Sequence, residues 1–96
     1  MNRDQVLAVL RHSKPMLASQ YGVRRLALFG STARDTARDD SDVDVLVVFD
    51  GVASAARYFG VQFHLEDALG CSVDLVSEKA LRPELRPFIE KEAVYV

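Results

Sequence analysis

Asp42 and Asp44 stand two residues apart at the head of a valine-rich run, Asp42-Val43-Asp44-Val45-Leu46-Val47-Val48-Phe49. On a β-strand such residues project from the same face, so the two carboxylates are aimed side by side. At about 4 Å two like charges repel by ~1 kcal/mol in bulk water and ~4 kcal/mol near a protein surface. A divalent cation between them removes that cost, as would protonation of one acid; the cation is the more natural answer at neutral pH. Asp39 and Asp40, just upstream, read as loop acids that add local negative charge or cap a turn.

Two further features bear on this pair. Gly30-Ser31 stands where a strand gives way to a short helix. A helix N-terminus carries free N–H groups and the positive end of the dipole, which suits a phosphate, and glycine permits close backbone approach. Neither a Walker loop nor a dinucleotide fingerprint is present, because the later glycines and the lysine are missing. Asp74, in Val73-Asp74-Leu75, supplies a third carboxylate from the middle of another strand. Three hard oxygen donors suit one or two Mg²⁺ ions, and two metals can clamp the attacking and leaving oxygens of a phosphoryl displacement. Asp40, Asp42 and Asp44 also have the one-three-five spacing of a calcium loop. That loop needs glycine at its sixth position and an acid at its twelfth, where this chain has Val45 and Gly51.

The elements that must position these residues follow from periodicity and punctuation. Asn2 caps a first helix with Gln5 in capping-box position, and Val6, Leu7, Leu10 and Leu17 recur at helical spacing. Pro15 predicts a kink or restart near Ser13, and Gly22 ends the helix. A short strand is expected over 24–29, a short helix over 31–37, a loop over 39–41 and the strongest strand over 42–49. That strand is apolar on both faces beyond its acidic start, so it reads as central and covered on both sides. Asp50-Gly51 turns the chain. A helix over 54–69 is weakened by Gly60 and ended by Gly70. A strand over 72–77, short helical pieces limited by Pro83 and Pro87, and a final strand over 93–96 complete the chain. The short link between the strands at Leu26 and Asp42 predicts an antiparallel pair. The expected class is α/β (α+β): a small mixed β-sheet with flanking helices.

Composition sets bounds. With 96 residues, 49% of them apolar, the chain predicts one domain over 1–96 with one modest core. A net charge of −2 with mixed signs supplies no basic face for direct nucleic-acid binding. The lone cysteine, Cys71, excludes an intrachain disulfide and reads as a small buried apolar residue. No signal peptide and no run of ~20 apolar residues occurs, which predicts a cytoplasmic protein without a membrane partner. His12 and His64 read as solvent-facing or capping groups, and Tyr58, Phe59 and Phe63 as core or interface.

Gly30-Ser31, ten intervening residues, then Asp42-Val43-Asp44-Val45 resembles the signature of the DNA polymerase β-type nucleotidyltransferase superfamily. The fuller string, with the later Val-Asp-Leu-Val and the closing Ile89…Glu92-Ala-Val-Tyr-Val96, is similar to its minimal nucleotidyltransferase (MNT) branch over essentially the whole chain. The resemblance implies a nucleotidyltransferase fold and roles for particular residues. Gly30 and Ser31 would hold nucleotide phosphates, and Asp42, Asp44 and Asp74 would bind Mg²⁺, with Asp74 also helping to activate the attacking hydroxyl. Arg34 would reach the triphosphate, its alternative being an ion pair with Asp35 or Asp39; Arg38 is a weaker candidate. Relatives place glycine after the arginine, where this chain has Asp35, an extra negative charge expected to point outward.

Larger nucleotidyltransferases carry a second domain for the acceptor, and a chain of this length is expected to take the acceptor from a partner or from a cleft in a homodimer. Proteins of the MNT branch pair with a helical HEPN-type toxin as its antitoxin, transferring AMP from ATP to a toxin tyrosine, and the resemblance implies that hetero-oligomer here. Two other readings are kept: an antitoxin that neutralises by binding alone, and a small-molecule (antibiotic) nucleotidyltransferase subunit.

Overall fold

The computed structural model describes residues 1–36 and 42–96. Arg38, Asp39, Asp40 and the end of the helix expected over 31–37 therefore lie outside the described residues. The chain begins with α1 (Arg3–Tyr21), where the Asn2 side chain accepts from the Gln5 amide and the Gln5 side chain accepts from the Asn2 amide. The helix runs through Pro15 without the restart expected near Ser13. A proline there removes one hydrogen bond to the carbonyl of Arg11. Both residues face solvent, so water can satisfy that carbonyl, while Leu10 and Leu17 on the opposite side are fully buried. Tertiary packing outweighs the local penalty. Gly22 ends the helix in the left-handed region.

Strand β1 (Val23–Phe29) leads into α2 (Gly30–Ala33), a single turn rather than a helix reaching 37. Asp35 is what stops it, since its φ of 59° leaves the helical region. Next come β2 (Val43–Phe49), α3 (Ala55–Leu69, capped by Ser54 and Gly70), β3 (Val73–Ser77), a 3-10 turn (Glu78–Ala80), α4 (Arg86–Glu92) and β4 (Val94–Tyr95). The four strands form one sheet in the order β3-β2-β1-β4. The β1–β2 and β1–β4 pairs are antiparallel and β2–β3 is parallel, a mixed sheet.

One sheet face, carrying Val43, Val45, Val47 and Leu75, packs with Val6, Leu10, Leu17, Val61 and Leu65 of α1 and α3 to form the main core. Gly60 allows those helices to meet: a Cβ there would lie 2.3 Å from Cε1 of the Tyr21 ring. The other face carries a smaller cluster, Ala27, Phe29, Leu46 and Leu81, with Ile89 and Ala93 against it. By strand alternation Asp44 belongs to this second, more thinly covered face. Among the described residues no helix is long and apolar enough to cross a membrane.

Candidate active site

Two register relations assemble the site. Asp44 pairs with Phe29 across the antiparallel ladder, so the residue after Phe29, Gly30, arrives beside it. Asp44 also pairs with Asp74 across the parallel ladder, and residues opposite one another in a ladder share a face. The second residue of β2, the second residue of β3 and the turn leaving β1 thus meet at one end of the sheet.

The approach of Gly30 to Asp44 is close enough to dictate residue type. Gly30 has φ 74°, and a Cβ built on it would stand 2.0 Å from Oδ2 of Asp44. Glycine is needed there both for backbone conformation and for space. Ser31 follows in the same turn and is partly exposed. Thr36 closes the turn, its amide donating to the Ser31 carbonyl at 2.9 Å.

The electrostatics fit a site short of positive charge. The Asp44 carboxyl is pushed up to about 6. Burial is the largest cause, followed by the charge of Asp74, a side-chain hydrogen bond with Asp74 and the charge of Asp42; Arg34 acts in the opposite direction. Two acids facing one another offer the oxygen donors that a hard divalent cation would take. Asp42 is exposed, one residue before β2, and Asp74 is exposed on β3, the strand at the sheet's edge. Asp42 influences Asp44 through its charge; among the described residues no three acids, histidines or cysteines stand close enough together to enclose a metal ion. The pair Asp44–Asp74 is the nucleus of the candidate metal site, and Asp42 flanks it.

Of the two alternative partners, Asp39 lies outside the described residues; among those residues the Arg34 side chain pairs with Glu92 and not with Asp35. Its Nη1 donates to Oε2 of Glu92 at 2.7 Å, and Oε1 of the same carboxylate accepts from the Gly30 amide at 3.1 Å. Glu92 was absent from the candidates drawn from sequence. Its only sequence signal is its place in the closing Ile89…Val96 string, which assigns no role to it. Asp35 turns towards the start of α1, where its Oδ1 accepts from the Arg3 amide at 3.4 Å. It points outward, as expected, and its left-handed φ explains why a glycine suits that position.

The other notable groups lie apart. The Tyr58 hydroxyl donates to the Leu75 carbonyl, and its pKa is raised by burial and then by Asp74. Phe59 and Phe63 are exposed and stack on one another. Tyr95 lies under the Arg25 guanidinium, 4.6 Å from ring centroid to carbon. His12 is exposed, His64 is half-buried, and Cys71 is a half-buried free thiol. A hollow of about 780 Å³ lined by Val52, Tyr58, Leu75, Val76 and Lys79 flanks the β3 edge. It contains none of the three carboxylates.

Comparison with known proteins identifies relatives of the chain and of its fold. The model of the nucleotidyltransferase domain family matches residues 10–96. The protein adenylyltransferase MntA of Thermococcus cleftensis is 36% identical over 93 residues, covering 97% of this chain and 94% of its own. A solved structure described as a minimal nucleotidyltransferase is 37% identical with a TM-score of 0.83, covering 98% of this chain and 95% of its own. A Shewanella oneidensis complex of a tri-AMPylated HEPN toxin with an MNT antitoxin shares the fold, with a TM-score of 0.60 at 20% identity, covering 98% of this chain and 67% of its own.

Proposed function

Because the chain belongs to the nucleotidyltransferase domain family and is a nucleotidyltransferase, we propose that it transfers AMP from ATP to a hydroxyl of a partner protein. The partner is a HEPN-type toxin, the acceptor a tyrosine, and the consequence neutralisation of that toxin. The observation that carries this reading is the juxtaposition of Asp44, Asp74 and the Gly30 turn at one end of the sheet. The adenylyltransferase name of the Thermococcus relative and the AMPylated toxin in the Shewanella complex support the chemistry and the partner class.

In the reaction, the acceptor oxygen attacks the α-phosphorus of ATP. The bond from that phosphorus to the bridging oxygen of the β-phosphate breaks, and pyrophosphate leaves. Asp74, exposed at the sheet edge, takes the hydroxyl proton on a carboxylate oxygen. Arg34, and the Ser31 amide and hydroxyl, hold the triphosphate; binding and in-line orientation supply most of what a protein contributes to phosphoryl transfer. Asp44 and Asp74, flanked by Asp42, would hold Mg²⁺, which would neutralise charge on the phosphates and carboxylates and polarise the reacting oxygens.

The test is transfer of label from ATP, in Mg²⁺, to the product of the neighbouring gene. A labelled partner, lost with Asp44→Asn or with a tyrosine-free partner, is the expected result. Absence of label with the wild-type protein at every Mg²⁺ concentration would refute the proposal. Label that persists on the tyrosine-free partner would refute the tyrosine assignment.

A further inference from the structure

Glu92 stands 62 residues from Gly30 in sequence, yet its carboxylate holds both the Gly30 amide and the Arg34 guanidinium. A carboxylate that bridges a backbone N–H and an arginine makes two charge-assisted hydrogen bonds, and these are the stronger class. The support beneath it is firm. Glu92 ends α4, and the next residues form β4, which pairs with β1 through Leu28–Val94 and Ala27–Tyr95. The Val96 amide donates to the Leu26 carbonyl at 2.9 Å, and Lys14 Nζ donates to the Val96 carbonyl at 2.6 Å. Glu92 at the end of α4 is thus tied, through β4, to the same sheet that delivers Gly30, rather than carried by a loose arm lying over the turn.

We infer that Glu92 is a positioning residue for the nucleotide, acting through Arg34 and the Gly30 turn; this rests on the reading of Arg34 and the Gly30-Ser31 turn as the triphosphate site. The Gly30 amide is already engaged, so phosphate contacts fall to Ser31 and Arg34. Arg34 has five N–H donors, of which Glu92 takes one. The guanidinium is more than half exposed, and without an anchor its long side chain would sample many rotamers. Among the described residues the guanidinium has no side-chain partner besides Glu92, and its charge acts on Asp44. Glu92 also holds the Gly30 amide, at a position so near Asp44 that an added Cβ would collide with its carboxylate.

The opposite role is a competing anion that occupies the place of a phosphate. The two roles predict opposite signs. If Glu92 positions, Glu92→Gln weakens Mg²⁺-ATP binding by about tenfold, the loss expected for one charge-assisted hydrogen bond. If Glu92 competes, the same change tightens binding. Mg²⁺-ATP affinity measured by titration calorimetry on the wild type, Glu92→Gln, Arg34→Ala and the double variant decides. The expected outcome is weaker binding in each single variant and a double variant no weaker than Arg34→Ala alone, with thermal unfolding confirming that each is folded. In the AMP-transfer assay the Glu92→Gln change should fall on the KM for ATP more than on kcat. Unchanged or tighter ATP binding in Glu92→Gln overturns the inference, as does full additivity with Arg34→Ala. Wild-type protein that binds no ATP overturns the nucleotidyl-transfer reading itself, an outcome distinct from wild-type binding that Glu92 does not affect.

Discussion

Replacing Asp44 by asparagine should make the protein more stable at neutral pH while abolishing transfer. Asparagine keeps the shape of the side chain and can still hydrogen-bond Asp74, but it carries no charge. The Asp44 carboxyl is raised from 3.8 to about 6 in the folded chain, so unfolding releases a proton between those values. Stability from this group is therefore fully present below about pH 4 and is lost as pH rises through about 6. A two-unit shift is worth about 3 kcal/mol at full weight. Asp44 is half-buried and Asp74 is exposed, and solvent screening brings the figure down to about 1 kcal/mol. For a domain of this size that is a rise in Tm of roughly 4–8 °C. The assay is thermal unfolding of wild type and Asp44→Asn from about pH 4 to pH 8, without and with millimolar Mg²⁺. The difference should be near zero at the acid end and largest above pH about 6.5. Mg²⁺ should raise the Tm of the wild type at neutral pH and leave Asp44→Asn nearly unmoved. A variant no more stable than wild type at neutral pH, or a gain that does not depend on pH, would refute the electrostatic account of the site.

Three other substitutions probe the backbone, two of them beside the site. Gly30→Ala should destabilise by about 2 kcal/mol, combining the left-handed penalty with the Cβ placed 2.0 Å from the Asp44 carboxylate, and should remove AMP transfer; a variant with wild-type Tm and activity would count against the contact. Asp35→Gly should stabilise by about 0.5 kcal/mol, because φ 59° suits glycine better than aspartate and the lost contact to the Arg3 amide is long; urea unfolding measures it. Gly60→Ala should cost about 1 kcal/mol despite alanine's higher helix propensity, since the new methyl meets the Tyr21 ring. The same substitution made in a Tyr21→Leu background should cost less or become favourable, read by the same unfolding curves.

How much of this was readable in the residues depends on the range over which each feature is decided. The capping box of Asn2 and Gln5, the glycine stops at Gly22 and Gly70, and the antiparallel β1–β2 pair are settled within a few residues or one short link, and they appear as expected. The restart expected near Ser13 does not occur, because the local penalty of Pro15 competes with the burial of Leu10 and Leu17, which is a property of the assembled core. The helix expected to reach 37 ends at Ala33, because Asp35 takes a left-handed conformation that nothing in its residue type demands.

The candidate site divides in the same way. Asp42 and Asp44 could be named as candidates from their spacing on a strand and Asp74 as an acid in the middle of an apolar strand, but the Asp44–Asp74 register needed the assembled sheet. The Glu92 contact could not be named, because it exists only when β4 has added to the free side of β1 and brought the end of α4 over the Gly30 turn. The arrangement also explains a division of labour along one edge of the sheet. The carboxylates sit on β2 and β3, where like charges would repel without a cation. The arginine, just past the turn that follows β1, and its glutamate, at the end of α4 before β4, form a neutral pair. On the proposed reading, a triphosphate laid along that end of the sheet would meet carboxylate oxygens on one side and the Arg34 guanidinium on the other, a direction that the order β3-β2-β1-β4 would impose.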